Sequence, residues 1–240
     1  MTDAPKIKAL LFDVFGTVVD WRSGVARDVK AFLSRHALSI DALEFADAWR
    51  REYVPAMEEI RSGRRPFVRL DVLHRENLVK VLSSHGITSV PPEEVDELNL
   101  TWHQLDPWPD SVEGLARLKR RFMIAPLSNG NIRLMLDMAK RAGLPWDAIL
   151  GAEVVRAYKP SPSAYTDTVD ILGLDRAEVC MVAAHNGDLA AARGCGLKTA
   201  FIVRPTEHGP AQTSDLRAEQ AWDFLATDLN DLATQLGCAN

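Results

Sequence analysis

Short apolar runs punctuate the chain. The first is Ile7 to Phe12 (IKALLF). A run without polar alternation suits a strand buried on both faces, as in a parallel sheet. It ends at Asp13 and a Gly-Thr turn. Later, Met123 to Leu127 (MIAPL) leads into SNGN, Val179 to Ala184 (VCMVAA) into HNGD, and Thr199 to Val203 (TAFIV) into Arg204-Pro205. Helical spacing separates these runs. Val112, Leu115 and Leu118 follow an Asp110-Ser111 cap, while Ile132, Leu136 and Ala139 run to a stop at Gly143 and Pro145. Strands alternating with helices predict βαβ units and a doubly wound sheet.

Between Trp21 and His103 the rhythm changes, and no strand is evident. Val25, Val29, Phe32, Leu33 and His36 share one helical face. Phe45, Trp49 and Tyr53 share another, until Pro55 interrupts it. Val68 to Leu82 and Val95 to Trp102 continue the pattern, and Pro91-Pro92 before two Glu residues marks a helix start. The chain thus reads as an α/β core, residues 1–20 and 104–240, split by a helical insert at 21–103. The tail from Asp215 to Gly237 is expected to add one or two surface helices.

Composition narrows the function. The charge sum is 28 − 33 = −5 and hydrophobic residues make up 47%, which fits a globular domain and argues against a nucleic-acid binder. The nearest basic run, Arg61 to Arg65 (RSGRR), reads as a solvated helix end. No apolar stretch approaches the roughly 18 residues of a membrane span, and the polar start lacks a signal-peptide core. Three cysteines, Cys180, Cys195 and Cys238, suit reduced thiols in a cytoplasmic protein.

In open α/β sheets, ligands bind beyond the carboxyl ends of the strands. That rule selects Asp13 to Thr17, Ser128 to Asn131, the loop at Lys159 and the loop at His185 to Asp188. Singly, each reads as an ordinary turn or cap; four in one split α/β chain point to a site. A carboxylate such as Asp13, held among turn amides, can act as a nucleophile and form a covalent ester or anhydride. Asn131 reads as a helix cap. Trp49, Tyr53 and Phe67 suit core packing as well as a pocket, and His36 and His103 suit packed or surface positions.

The Asp13-Val14-Phe15-Gly16-Thr17 pattern, followed by SNG, Lys159-Pro160 and the last acidic loop, resembles the haloacid dehalogenase (HAD) superfamily. The likeness covers nearly the whole chain, and the helical insert falls where that superfamily places a cap. It implies a HAD-like Rossmannoid core with a parallel sheet. Superfamily phosphatases carry a second Asp two residues after the nucleophile and a second acid in the last motif to hold Mg²⁺. Here Phe15 occupies the first position, and HNGDLAAA offers one carboxylate. An aromatic at position 15 resembles the L-2-haloacid dehalogenase branch, which needs no metal. The resemblance therefore implies no cofactor and a small halocarboxylate as substrate. A homodimer is compatible with it.

Roles follow by matching positions. Asp13 is implied as nucleophile. Thr17, Ser128, Asn129 and Lys159 are implied to hold Asp13 and the substrate carboxylate. Tyr165 lies six residues past Lys159, as in that branch, and Phe15 is implied to line the substrate pocket. Arg50 matches a cap arginine that receives the halide, and Asp188 the acid that orients Lys159 and water. Ala183 replaces the branch's water-positioning serine, and His185 replaces an asparagine. The loop resembles a subgroup in which histidine activates water, which makes His185 the expected general base, with Asp20 as a candidate partner. Rival readings are a Mg²⁺-dependent phosphatase, a hydrolase of another small electrophilic acid, and a non-catalytic binding protein. The last is disfavoured by the joint presence of Asp13, Lys159 and Asp188.

Overall fold

A computed structural model describes residues 6–238; the extreme N-terminal segment read above as lacking a signal peptide begins outside them. In chain order its strands are β1 (Ala9–Phe12), β2 (Val19–Asp20), β3 (Asp106–Pro107), β4 (Met123–Ser128), β5 (Leu150–Gly151), β6 (Val179–Ala183), β7 (Lys198–Ile202) and β8 (Phe224–Ala226). The main sheet has the order β5-β4-β1-β6-β7-β8. All its neighbours pair in parallel. β1 is fully buried between β4 and β6. Leu10 and Phe12 pack with Ile124, Cys180 and Val182. Ala9 and Leu11 pack with Ala125, Leu127 and Met181. Burial on both faces is why these runs lack alternation.

The chain leaves β1 for β4 on one side, while β6 lies on the other. Asp13, at the carboxyl end of β1, thus stands where the strand order diverges, the place such folds use for ligands.

The helices are α1 (Trp21–Arg35), α2 (Ala42–Arg51), α3 (Tyr53–Arg61), α4 (Leu70–Ser84), α5 (Pro92–Asn99), α6 (Ser111–Lys119), α7 (Ile132–Ala142), α8 (Ala152–Val155), α9 (Pro162–Leu172), α10 (Asn186–Gly194) and α11 (Leu229–Gln235). α1 to α5, with a 3₁₀ turn at Leu100–His103, fill the predicted helical insert. Its two ends are held side by side by antiparallel pairing of β2 with β3.

Several local expectations need correction. Pro55 does not break a helix. The break falls at Glu52, and Pro55 lies in the first turn of α3, where no intrahelical N–H bond is lost. The tail contains one helix, α11, within the one or two expected, but also an edge strand, β8, because Phe224 to Ala226 pairs with β7. Asp110 stands at the α6 N-cap without a side-chain cap bond. Its carboxylate instead takes a bidentate bond from Arg204 and accepts from Leu229 N. The RSGRR segment is not simply solvated, because Arg61 Nη1 donates to the Lys159 carbonyl at 3.1 Å.

His103 is not an ordinary packed residue. Its ring bridges Asp71 of the insert and Asp137 of α7 at 3.1 and 2.9 Å. Asn131 adds a reciprocal pair, accepting from Asp71 N and donating to Asp71 Oδ2. Burial alone would lower the His103 pKa, but the two carboxylates outweigh it and raise it. A raised pKa contributes stability that is present below about pH 6.5 and is lost as pH climbs through the folded value. His103→Ala is therefore expected to cost about 2–3 kcal/mol at pH 6. The loss should shrink at pH 9, as read by urea unfolding. An equal loss at both pH values would exclude a charged latch.

Candidate active site

Four loops at the carboxyl edge of the sheet converge on Asp13. Its backbone N donates to Val182 O, which seats the residue over β6. Thr17 donates to Asp13 Oδ2 at 2.8 Å, and Lys159 Nζ to Oδ1 at 3.0 Å. His185 Nδ1 lies 3.1 Å from Oδ2. Burial alone would raise the Asp13 pKa, but Lys159 and His185 outweigh it and hold the carboxyl well below the usual range. Asp13 is thus an ionised carboxylate.

Each partner is itself fixed. Thr17 Oγ1 accepts from Ala184 N at 2.9 Å, tying the first motif to the last. Asn129 Oδ1 accepts from Lys159 N at 2.8 Å. Lys159 Nζ also meets Asp188 Oδ2 at 2.5 Å, and Tyr165 donates its hydroxyl to Asp188 Oδ1 at 2.6 Å. Burial opposes the Lys159 charge, yet Asp13 and Asp188 raise its pKa, so it is a permanent ammonium between two carboxylates. Burial and Asp188 raise the Tyr165 pKa, so it stays a neutral donor.

A cavity of about 370 Å³ opens onto this cluster. Asp13, Phe15, Asn129, Lys159, Tyr165, His185 and Asp188 line it from the core, and Arg50, Tyr53, Val54, Met57 and Arg61 from α2 and α3. The Arg50 guanidinium lies 4.0 Å from the Tyr53 ring centroid. Tyr53 is thus both packed and pocket-lining. Trp49 is a packing residue whose Nε1 donates to His74 O. Ser128 is fully buried, and its Oγ accepts from Gly130 N. It shapes the loop and is not among the residues lining the cavity.

Glu207, not Asp20, is the carboxylate beside His185. Glu207 Oε2 lies 2.9 Å from His185 Nε2, while Asp20 caps α1 by accepting from Ser23 N. Gly16 leaves room for the Glu207 carboxylate. Its φ is +87°, and a Cβ there would lie 2.0 Å from Glu207 Oε1. Only glycine lets the first loop and the Glu207 carboxylate approach this closely. Trp21 Nε1 donates to the same oxygen at 3.0 Å. Glu207 follows β7, so the strand-end rule that selected the other loops also applies to it. His185 is buried, which alone would lower its pKa, but Glu207 and Asp13 raise it well above the ordinary value. With Asp13 ionised, His185 is an imidazolium.

Among the described residues, no cluster of three or more His, Cys, Asp or Glu side chains could hold a metal ion. Between Asp13 and Asp188, the nearest place for a cation, stands the Lys159 ammonium.

A split parallel sheet, a strand-end carboxylate and a paired lysine define a class that comparison with known proteins identifies. The family model of haloacid dehalogenase-like hydrolases matches residues 7–196, and the chain belongs to that family. It is 56% identical to a structure described as a defluorinating L-2-haloacid dehalogenase, with a TM-score of 0.95 over 96% of this chain and 95% of that one. It is 31% identical to (S)-2-haloacid dehalogenase 1 of Pseudomonas sp. (strain CBS-3), over 82% of this chain and 85% of the relative. It is 28% identical to (S)-2-haloacid dehalogenase 4A of Burkholderia cepacia, over 95% and 98% respectively.

Proposed function

We propose that the chain hydrolyses short 2-haloalkanoic acids, the haloacetates and L-2-haloacids, to 2-hydroxy acids through an ester on Asp13. The observation that carries this reading is the Asp13–Lys159–Asp188 bridge beside Phe15. It supplies an ionised nucleophile without the second acid that a phosphatase uses on its leaving oxygen. The relatives' names point the same way.

In the first step, an Asp13 oxygen attacks the halogen-bearing carbon from the side opposite the halide. The C–O bond forms, the C–halogen bond breaks with its electron pair, and the carbon inverts. Lys159 and Asn129 face the substrate carboxylate, and Arg50 receives the halide. A fixed guanidinium stabilises charge that grows on the leaving atom. In the second step, water attacks the Asp13 carbonyl carbon. One water proton goes to His185 and the other to the departing alkoxide. Asp13 is restored as a carboxylate.

His185 works as a base only in the ester. The resting imidazolium is held by two carboxylates; esterification removes the charge of one. The ring can then lose its proton to solvent and accept another from water. Ester hydrolysis therefore slows as pH falls below the His185 pKa of that intermediate.

The same reading treats residues 21–103 as the cap and residues 1–20 with 104–240 as the core. It places the chain in the cytoplasm, in keeping with three unpaired thiols. Among the described residues, no helix is long and apolar enough to cross a membrane. The same reading is compatible with a homodimer.

The test is halide release from fluoro-, chloro- and bromoacetate and both 2-chloropropionates, beside p-nitrophenyl phosphate hydrolysis. After dialysis against EDTA, halide release is expected to stay within about twofold, because Lys159 supplies the positive charge at Asp13. Activity that disappears and returns with Mg²⁺, or phosphate release without halide release, would overturn the reading.

A further inference from the structure

The insert contains an unusual set of polar atoms behind Phe15. Arg50 Nη1, both ring nitrogens of His74 and Trp102 Nε1 are buried without a hydrogen-bond partner. The amide of Asn77 and Asn99 Oδ1 are likewise buried and unpartnered. Buried polar groups are normally paired, so a concentration of unpaired ones calls for an occupant. Trp102 is fully buried and His74 nearly so.

Of these, Arg50, His74 and Trp102 meet in one aromatic layer. His74 stacks on Trp102 with centroids 4.2 Å apart. The Phe15 ring meets Trp102 edge-on at 5.7 Å and His74 at 6.3 Å. The Arg50 guanidinium lies 5.9 Å from the Phe15 centroid and 5.3 Å from Trp21, which itself stacks on Trp102. Phe15 and Arg50 both line the reaction cavity. Burial, with a smaller contribution from Arg50, pushes the His74 pKa down to about 3. A neutral imidazole has one N–H to donate and brings no charge beside the guanidinium.

We propose that Trp102 and His74, with Arg50, form the anion pocket that receives the departing halide. Arg50 supplies the charge, and the indole and imidazole N–H groups supply neutral donors to a small anion. No proton moves: the electron pair of the breaking C–halogen bond leaves with the halide, and these donors bond to it as its charge grows. The inference rests on the dehalogenase reading and deepens it, assigning to Trp102 and His74 a part in leaving-group specificity. Hydrogen bonds favour the smaller, more charge-dense halides, so donor loss should affect chloride departure more than iodide departure.

The test compares Trp102→Phe with the wild type on the chloro-, bromo- and iodo-forms of (S)-2-halopropionate. Phenylalanine keeps an aromatic ring for stacking and removes the donor. The variant should lose about tenfold or more in kcat/KM on the chloro-substrate and less than about twofold on the iodo-substrate. His74→Asn is the second variant and should shift the chloro-to-iodo ratio in the same direction. Chloride binding to the free chain, read by ³⁵Cl NMR line broadening, should weaken about tenfold in Trp102→Phe. Equal losses on all three halogens, or unchanged chloride binding, would overturn the proposal. A wild-type chain that binds chloride but turns over no haloacid would instead refute the dehalogenase reading.

Discussion

Asp13→Asn is expected to abolish halide release, with a loss on the order of 10⁴-fold or more in kcat. The amide keeps the shape of the carboxylate but lacks the charge that makes its oxygen nucleophilic. The substitution should leave the fold in place, since Lys159 retains Asp188 and Thr17 retains its bond from Ala184 N. It should also change the neighbours. Asp13 is one of two carboxylates that raise the His185 pKa, so the His185 ring in Asp13→Asn should titrate at lower pH than in the wild type, as read by histidine NMR. A variant that keeps more than about one per cent of wild-type halide release would remove Asp13 from the nucleophilic role, and an unmoved His185 titration would contradict the charge coupling between Asp13 and His185.

His185→Ala should show the second-largest effect and a different signature. The displacement step needs no base, so about one halide per active site should appear as a burst. The enzyme should then stall, with the Asp13 ester visible by intact mass. General-base assistance is typically worth about 10²–10⁴-fold, which sets the expected fall in steady-state turnover. Glu207→Gln should produce a milder stall, because its amide can still accept from His185 Nε2 but no longer stabilises the imidazolium. Loss of the burst itself would assign His185 to substrate binding, and near-normal turnover would take it out of the reaction.

The first and last motifs were legible because their signals are local. Apolar runs mark β1, β4, β6 and β7, and residues after the first, second and third of these join Lys159 and Tyr165 in the observed cluster. Phe15 identified the branch because a missing acid is visible in sequence. The His185 partner was not legible, since Asp20 and Glu207 are both near motif loops in sequence. Only the fold shows Asp20 capping α1 and Glu207 lying against Gly16. β8 was missed because an edge strand of three residues takes its identity from pairing with β7, not from its own pattern. The roles of Arg61 and His103 are not legible in the sequence for a related reason. Their partners, Lys159 and Asp137, belong to elements that only tertiary packing brings near. Asp110 reads as a cap because a local role is the default for an Asp before a helix, yet Arg204, just past the end of β7, takes its carboxylate.

Single-turnover hydrolysis in ¹⁸O-water reads directly whether Asp13 carries the substrate carbon as an ester. With enzyme in excess over a 2-haloacid, water oxygen enters at the Asp13 carbonyl carbon, while the product hydroxyl comes from Asp13 itself. Label is expected in the peptide containing Asp13, with unlabelled hydroxy acid in the first turnover. Label in the first hydroxy acid released, with none in that peptide, would show water attacking the halogen-bearing carbon directly and would contradict the ester.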